Sequence, residues 1–154
     1  NTIQSLDLLG RKVLGNQGAT LKKFGKLVGQ LVAEEGVNEK MAEFINPIAM
    51  LGDQMTKFTT EIGFKGFQNA DEVGAAAVPY LRVAGHMVFG YFWARMAQVA
   101  LQQIAAGNTD LFYVAKLQTA RFYFAKLFPE TATLMRTARA GSKVLMDTDA
   151  ALAI

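Results

Sequence analysis

"DEVGAAAVPYLRVAGHMVFGYFWARMAQVALQQIAA", residues 71–106, decides the fold. Val73, Ala77, Tyr80, Ala84, Met87, Tyr91 and Ala94 recur at alternating steps of four and three, which is the period of one face of an α-helix. Pro79 is a point at which the helix can bend. At about 1.5 Å per residue the segment spans about 54 Å. A stripe that long can be buried only against other elements, so the rest of the chain must supply them.

Those elements read as helices too. "NADE", Asn69 to Glu72, offers a cap and two acids in the first turn, where the helix dipole favours negative charge. Upstream, a helix runs from about Ala19 to Glu35 with Leu21, Phe24, Leu27, Val28, Leu31 and Val32 on one face. Gly36 is a stop and Asn38 the next cap. A third helix starts near Glu39, meets Pro47, which should kink or restart it, and continues through Ile48, Leu51, Met55, Phe58 and Ile62 to about Phe67. Downstream, "GNTD" (107–110) stops one helix and caps another. That helix carries Leu117, Ala120, Phe124 and Leu127 and ends at Pro129. A weaker helical stretch covers about Glu130 to Leu145, and the tail "DTDAALAI" reads as loose. No alternating run bounded by hairpin turns argues for a strand. The expectation is an all-α, up-and-down antiparallel helical bundle with one long helix at about 71–106. Its body should be the third, fourth and fifth helices, and Gly85, Ala94, Ala97 and Ala100 should let backbones approach.

The opening, "NTIQSLDLLGRKVLG", carries Ile3, Leu6, Leu9 and Val13 at helical spacing from its first residues, with Asn1 or Thr2 as N-cap. A chain that starts at a helix cap, with neither a methionine nor a basic-then-apolar leader, is expected to be cut from a longer polypeptide. The glycines at 10, 15 and 18 read as helix punctuation, because neither the Gly-Lys-Ser/Thr ending of a phosphate loop nor Gly-x-Gly-x-x-Gly is present.

Composition narrows the function. The 154 residues are 51% hydrophobic and 19% charged, enough for one well-buried domain. Cysteine is absent, which removes disulfides and thiolate metal sites and fits a cytoplasmic location. The net charge of +3 is spread out, without the clustered basic face that nucleic-acid binding needs. The charge-free stretch Met96 to Thr109 is too short to span a membrane.

The chain holds few candidates for chemistry. His86, the sole histidine, has Val83 rather than a glutamate three positions before it, so it lacks the Glu-x-x-His pattern of a di-iron bundle. It reads as a histidine satisfied by a neighbouring helix. Glu35, Glu39 and Glu43 share helical spacing but read as a solvated charged face. "YFWARM" (91–96) and "FYFAKLF" (122–128) read as core before they read as a cofactor pocket. Arg95 and Arg121, inside apolar segments, should snorkel or pair with acids. No nucleophile, metal cluster or acid–base pair stands out, so the 154 residues alone do not look catalytic.

Asn1-Thr2-Ile3-Gln4, followed by Leu6, Leu8, Leu9 and Gly10-Arg11, resembles the C-terminal flavin-contacting motif of acyl-CoA dehydrogenases, Glu-Gly-Thr-Asn-x-Ile-Gln. "PYLRVAGHMVFGYFWARMAQVAL" and "FYVAKLQTARFYFAKLFPET" resemble the extra C-terminal helical domain of the longer members, including the methylmercaptopropionyl-CoA dehydrogenase-like enzymes. The resemblance implies that residues 1–14 are the last helix of the core dehydrogenase bundle and that 18–150 form the appended domain. It implies FAD-dependent α,β-dehydrogenation of an acyl-CoA, in which a glutamate takes the α-proton, flavin takes the β-hydride, and an electron-transferring flavoprotein receives the electrons. By resemblance Asn1 and Thr2 would touch FAD at a subunit interface, and the glutamate would stand three residues before Asn1, outside this chain. The fragment is then expected to be an inactive structural and assembly domain with no metal and no FAD of its own. Its partners would be the rest of the polypeptide and a second copy. Two other readings stand beside this one: a stand-alone helical interaction module, and a small-ligand binder with a pocket near His86 and Trp93.

Overall fold

The computed structural model describes residues 2–15 and 18–147. Among them there is no strand. Helix α1 spans Thr2–Leu6 and continues as a wider π-helical stretch, Asp7–Leu14. Then follow α2 (Ala19–Glu35), a 3-10 turn (Glu39–Met41), α3 (Ala42–Gln68) and α4 (Ala70–Ala105). Helix α5 (Leu111–Phe122) also runs into a π-helical stretch, Tyr123–Leu127, before α6 (Glu130–Arg139) and α7 (Lys143–Met146). The expected all-α bundle is what forms, and its long helix of 36 residues begins and ends one position earlier than the sequence suggested.

Helix α4 is the axis of the molecule. Ala76, Ala77, Tyr80, Val83, Met87, Tyr91, Ala94, Ala97 and Ala100 are buried along it, and α1, α3, α5 and α6 all pack against it. The body is therefore wider than the third, fourth and fifth helices, because α6 adds Leu134, Met135 and Ala138 to the core. Leu9 and Val13, from the π stretch after α1, join the same core. The caps follow the sequence. Asn38 accepts from Lys40 N–H, Asn69 from Asp71 N–H, and Asp110 from Phe112 N–H.

Several local expectations fail, each for a physical reason. Helix α3 runs through Pro47 without restarting. The proline costs about 3 kcal/mol. Phe44, Ile45, Ile48 and Leu51 are all buried around it, each worth about 1.5–3 kcal/mol, so burial outweighs the lost backbone bond. Helix α4 likewise contains a buried Pro79. Leu127 is 47% exposed rather than buried. The π stretch, closed by Phe128 N–H donating to the Tyr123 carbonyl at 2.9 Å, adds one residue to the turn, so Phe128 takes the inward place. Leu27 lies beyond the edge of the apolar face of α2 and is 46% exposed. Glu130 to Leu145 is two helices, separated at Gly141, whose φ of +79° favours glycine. Gly10 lies inside the π stretch and punctuates nothing, while Gly15 caps it and Gly18 (φ +75°) turns the chain into α2. Thr2 is inside α1 rather than its cap, and Asn1, Asn16, Gln17 and the tail from Thr148 lie outside the described residues.

The close backbone approach occurs at Gly90 rather than Gly85. A β-carbon on Gly90 would lie 2.8 Å from the Phe128 ring and 3.1 Å from Ile48, whereas one on Gly85 would meet nothing within 4 Å. Gly25, exposed in α2, also has open space around it. A mid-helix glycine costs about 1 kcal/mol against alanine, and overpacking costs about 1–3 kcal/mol. Gly25→Ala should therefore raise the thermal midpoint and Gly90→Ala should lower it, as read by circular dichroism melting. Equal shifts of the same sign would contradict this packing.

Candidate functional site

Of the two residues expected to meet a flavin, Asn1 lies outside the described residues. Thr2 is exposed at the first position of α1, and its carbonyl accepts from Ser5 Oγ at 2.8 Å. Ser5 is fully buried, so the first turn is pinned from within while the Thr2 side chain faces outward. Arg11 is ion-paired with Asp7, with Lys12 also on that carboxylate at 3.3 Å.

His86 is held by its neighbours. Its Nδ1 lies 3.0 Å from the Tyr123 hydroxyl and its Nε2 lies 3.1 Å from Glu130 Oε2. The Tyr123 hydroxyl also donates to the His86 carbonyl at 3.2 Å, and Arg82 closes an ion pair on Glu130. Burial pushes the Tyr123 hydroxyl up to about 12, so it stays protonated at neutral pH. The His86 hydrogen bond and the Arg82 charge hold the Glu130 carboxyl below its ordinary value of 4.5. The group ties α4 to the π stretch and to α6. No set of histidine, cysteine or carboxylate groups suited to a metal occurs among the described residues.

A second network corrects the expectation of a solvated acidic face at Glu35, while Glu39 and Glu43 are exposed as expected. Glu35 is buried and accepts from Asn38 Nδ2 and Gln98 Nε2, each at 2.6 Å. Arg95 donates to Glu34 at 3.1 Å and to the Tyr91 hydroxyl at 3.3 Å, and Arg121 donates to Glu43 at 2.8 Å, the pairing expected of both arginines. At the far end of α4, Glu72 accepts from Ser142 N–H at 3.0 Å and Ser142 Oγ at 2.5 Å, fastening the start of α7.

A cavity of about 530 Å³ lies between α2 and α3, lined by residues such as Leu21, Phe24, Val28, Met55 and Met87. Neither His86 nor Trp93 lines it, and Trp93 instead stacks on Tyr123 with ring centres 6.2 Å apart. Thr56, Thr59 and Thr60 also line this cavity, but their hydroxyls bond to carbonyls of their own helix.

The aromatic stripes divide between core and surface. Tyr91, Tyr123, Phe124 and Phe128 are buried, but Phe92 is 55% exposed and Phe89 61% exposed, and Phe122 is exposed as well. On α4, Phe89 and Phe92 form with Val78, Val88 and Val99 an outward apolar stripe opposite the buried one. Reading the aromatics as core missed it. The available signal was that α4 is apolar all round, which in a soluble helix calls for partners on every side.

Helix α4 and its polar clasps lead to two expectations. The carboxylates of Glu61, Glu72 and Glu130 are all held low, first by hydrogen bonds from Lys65, Ser142 and His86 respectively. Depressed carboxylates stabilise the fold fully above their unfolded values near 4.5, and that contribution is lost as pH falls through the lower folded values. The thermal midpoint should drop steeply below pH 4.5, and Glu72→Gln should flatten that drop. His86→Ala should cost about 1–3 kcal/mol in urea unfolding at pH 7. An unchanged midpoint would deny the clasp a structural role.

The chain's sequence between residues 20 and 149 matches the family model described as acetyl-CoA dehydrogenase C-terminal like. It is 29% identical over 132 residues to 3-methylmercaptopropionyl-CoA dehydrogenase from Ruegeria pomeroyi, covering 83% of this chain and 22% of that protein. It is 26% identical over 136 residues to butyryl-CoA dehydrogenase from Syntrophomonas wolfei, covering 84% of this chain and again 22% of the relative. The chain thus spans about a fifth of the length of the curated relatives it matches. With the helical bundle and the family match extending over most of its residues, this chain belongs to the acetyl-CoA dehydrogenase C-terminal-like family.

Proposed function

We propose that the chain is the C-terminal helical portion of an FAD-dependent acyl-CoA dehydrogenase and that it serves packing and assembly rather than chemistry. The observation that carries this reading is the family match over residues 20–149, which corresponds to about a fifth of relatives named as dehydrogenases of acyl-CoA thioesters. The outward apolar stripe of α4 supports an assembly role, because a helix apolar on all sides is stable in water only when its faces are covered. No helix among the described residues is long and apolar enough to cross a membrane, and a cytoplasmic enzyme fits this.

In this reading residues 1–14 close the core bundle of the enzyme and residues 18–150 form the appended domain. Asn1 and Thr2 contact FAD, and Thr2, exposed at the start of α1, is open to a ligand held mainly by other segments. Bound FAD supplies acceptance of the electrons removed from the thioester. The catalytic glutamate belongs to the longer polypeptide, so the 154 residues alone do not turn over substrate. The partners are the remaining polypeptide, a second subunit, the acyl-CoA and an electron-transferring flavoprotein.

The test compares two proteins. The longer polypeptide should purify yellow and desaturate an acyl-CoA, and Thr2→Ala within it should weaken FAD retention. The isolated chain should show neither flavin binding in a titration nor turnover. A longer protein that stays colourless and cannot be reconstituted with FAD would end this reading.

A further inference from the structure

Helix α2 carries two unfavourable features that nothing in the bundle offsets. Gly25 and Gly29, one turn apart, lie inside it, where glycine is less stable than alanine. A helical glycine can be favoured where it admits a neighbour, as Gly90 admits Phe128. A β-carbon on either Gly25 or Gly29, however, would meet nothing within 4 Å. Lys22, Lys23 and Lys26 stand in the first half of the helix, toward the end where its dipole disfavours cations. No acid precedes Glu34 in α2, and none of the three ammonium groups has a partner among the described residues.

Both features border the cavity of about 530 Å³ between α2 and α3, a size that suits a small organic molecule. Gly25 and Gly29 leave its α2 wall bare, and the stretch of that helix lining it, Leu21 to Val32, is about 16 Å long. Its floor consists of the core residues Val13, Val28, Met55 and Met87, and the two methionines are flexible enough to mould to an apolar guest. The α3 wall offers no free hydroxyl proton: Thr56 donates to the Gly52 carbonyl, Thr59 to that of Met55 and Thr60 to that of Thr56. At the rim the Asp53 carboxylate is matched by Lys57 at 2.6 Å, whereas the exposed Lys22 ammonium is unmatched. An apolar interior with one uncompensated cation at its edge is complementary to an apolar body with one anionic head.

We propose that the cavity between α2 and α3 is a binding site for a small monoanionic amphiphile, its apolar body lying along Gly25 and Gly29 and its head on Lys22. The buried floor is recessed between two helices, which favours a small molecule over a flat surface such as a bilayer. The site is independent of the flavin reading, because every residue in it belongs to this chain. A carboxylate on an aliphatic chain and one on an aromatic ring share the required chemistry, and separate probes distinguish them. For about a dozen non-hydrogen atoms the dissociation constant should be on the order of 10–100 µM.

Isothermal titration calorimetry with decanoate and with 2-naphthoate, on the chain and on the longer polypeptide, tests the site. At least one of these anions should bind both proteins, and its cationic counterpart, decylammonium or 2-naphthylmethylammonium, should bind about 10-fold more weakly. Lys22→Glu should weaken the anion by about 10-fold or more. Gly29→Leu, whose side chain enters open space at the cavity wall, should abolish binding while its circular dichroism matches the parent. In the longer polypeptide only binding that Gly29→Leu removes counts toward this site. Absence of saturable binding of both anions to the chain, or affinity unchanged by either variant, would overturn the inference. So would a site present in the chain but missing from the longer polypeptide, since a segment of that polypeptide then fills the cavity. Pelleting of the chain with phosphatidylglycerol vesicles while neither free anion binds would assign the lysines to a membrane surface and equally overturn it.

Discussion

The structure depends on burial of the inner stripe of α4. Ala94, Ala97 and Ala100 are small enough to bring neighbouring helices close, and Gly90 admits the Phe128 ring where a methyl group could not fit. Close approach of this kind multiplies weak dispersion contacts, each worth only about 0.1–0.2 kcal/mol, into the main cohesive energy of the bundle. The other helices are placed by what they contribute to that stripe. Helix α3 lays Phe58 against Tyr80, whose hydroxyl lies 2.7 Å from Thr59 Oγ1, and the π stretch after α5 lays Tyr123 and Phe128 against His86.

Polar groups fix the register that hydrophobic contact leaves loose. Glu130, His86 and Tyr123 hold the middle of α4 to α6 and to the π stretch. Glu35 and Gln98 hold its second half to α2, and Glu72 holds its first turn to Ser142. Each clasp joins segments far apart in sequence, so each restricts how the helices slide. Their acids and bases are bonded to one another, which is what holds the helices in register.

Much of the fold was legible in the sequence. Of the residues at steps of three and four along α3 and α4, all but the partly buried Val73 and Ala84 are buried, and Asn38, Asn69 and Asp110 cap as their side chains predict. Periodicity and capping are local, so a linear reading reaches them. The pairing of Arg95 and Arg121 with acids is one of the two outcomes expected of arginines inside apolar segments, and the partly buried His86 is satisfied by its neighbours as read. The resemblance in residues 1–11, 79–101 and 112–131 pointed to the family that the comparison then established over residues 20–149.

What the sequence by itself determined, then, is the course of the long helices α2, α3 and α4, their caps and most of the inward face of α3 and α4, because each is set by interactions within a few residues. Tertiary structure decided the rest. The π stretch at Tyr123–Leu127 turned Leu127 outward in favour of Phe128, and Glu35 became buried because Gln98 and Asn38 meet it. The glycine that matters for packing is Gly90 rather than Gly85, since only the position of Phe128 and Ile48 in space distinguishes two glycines on one helix. Helix α4 is apolar on both sides, so only the assembled bundle reveals which stripe it covers and which it leaves exposed.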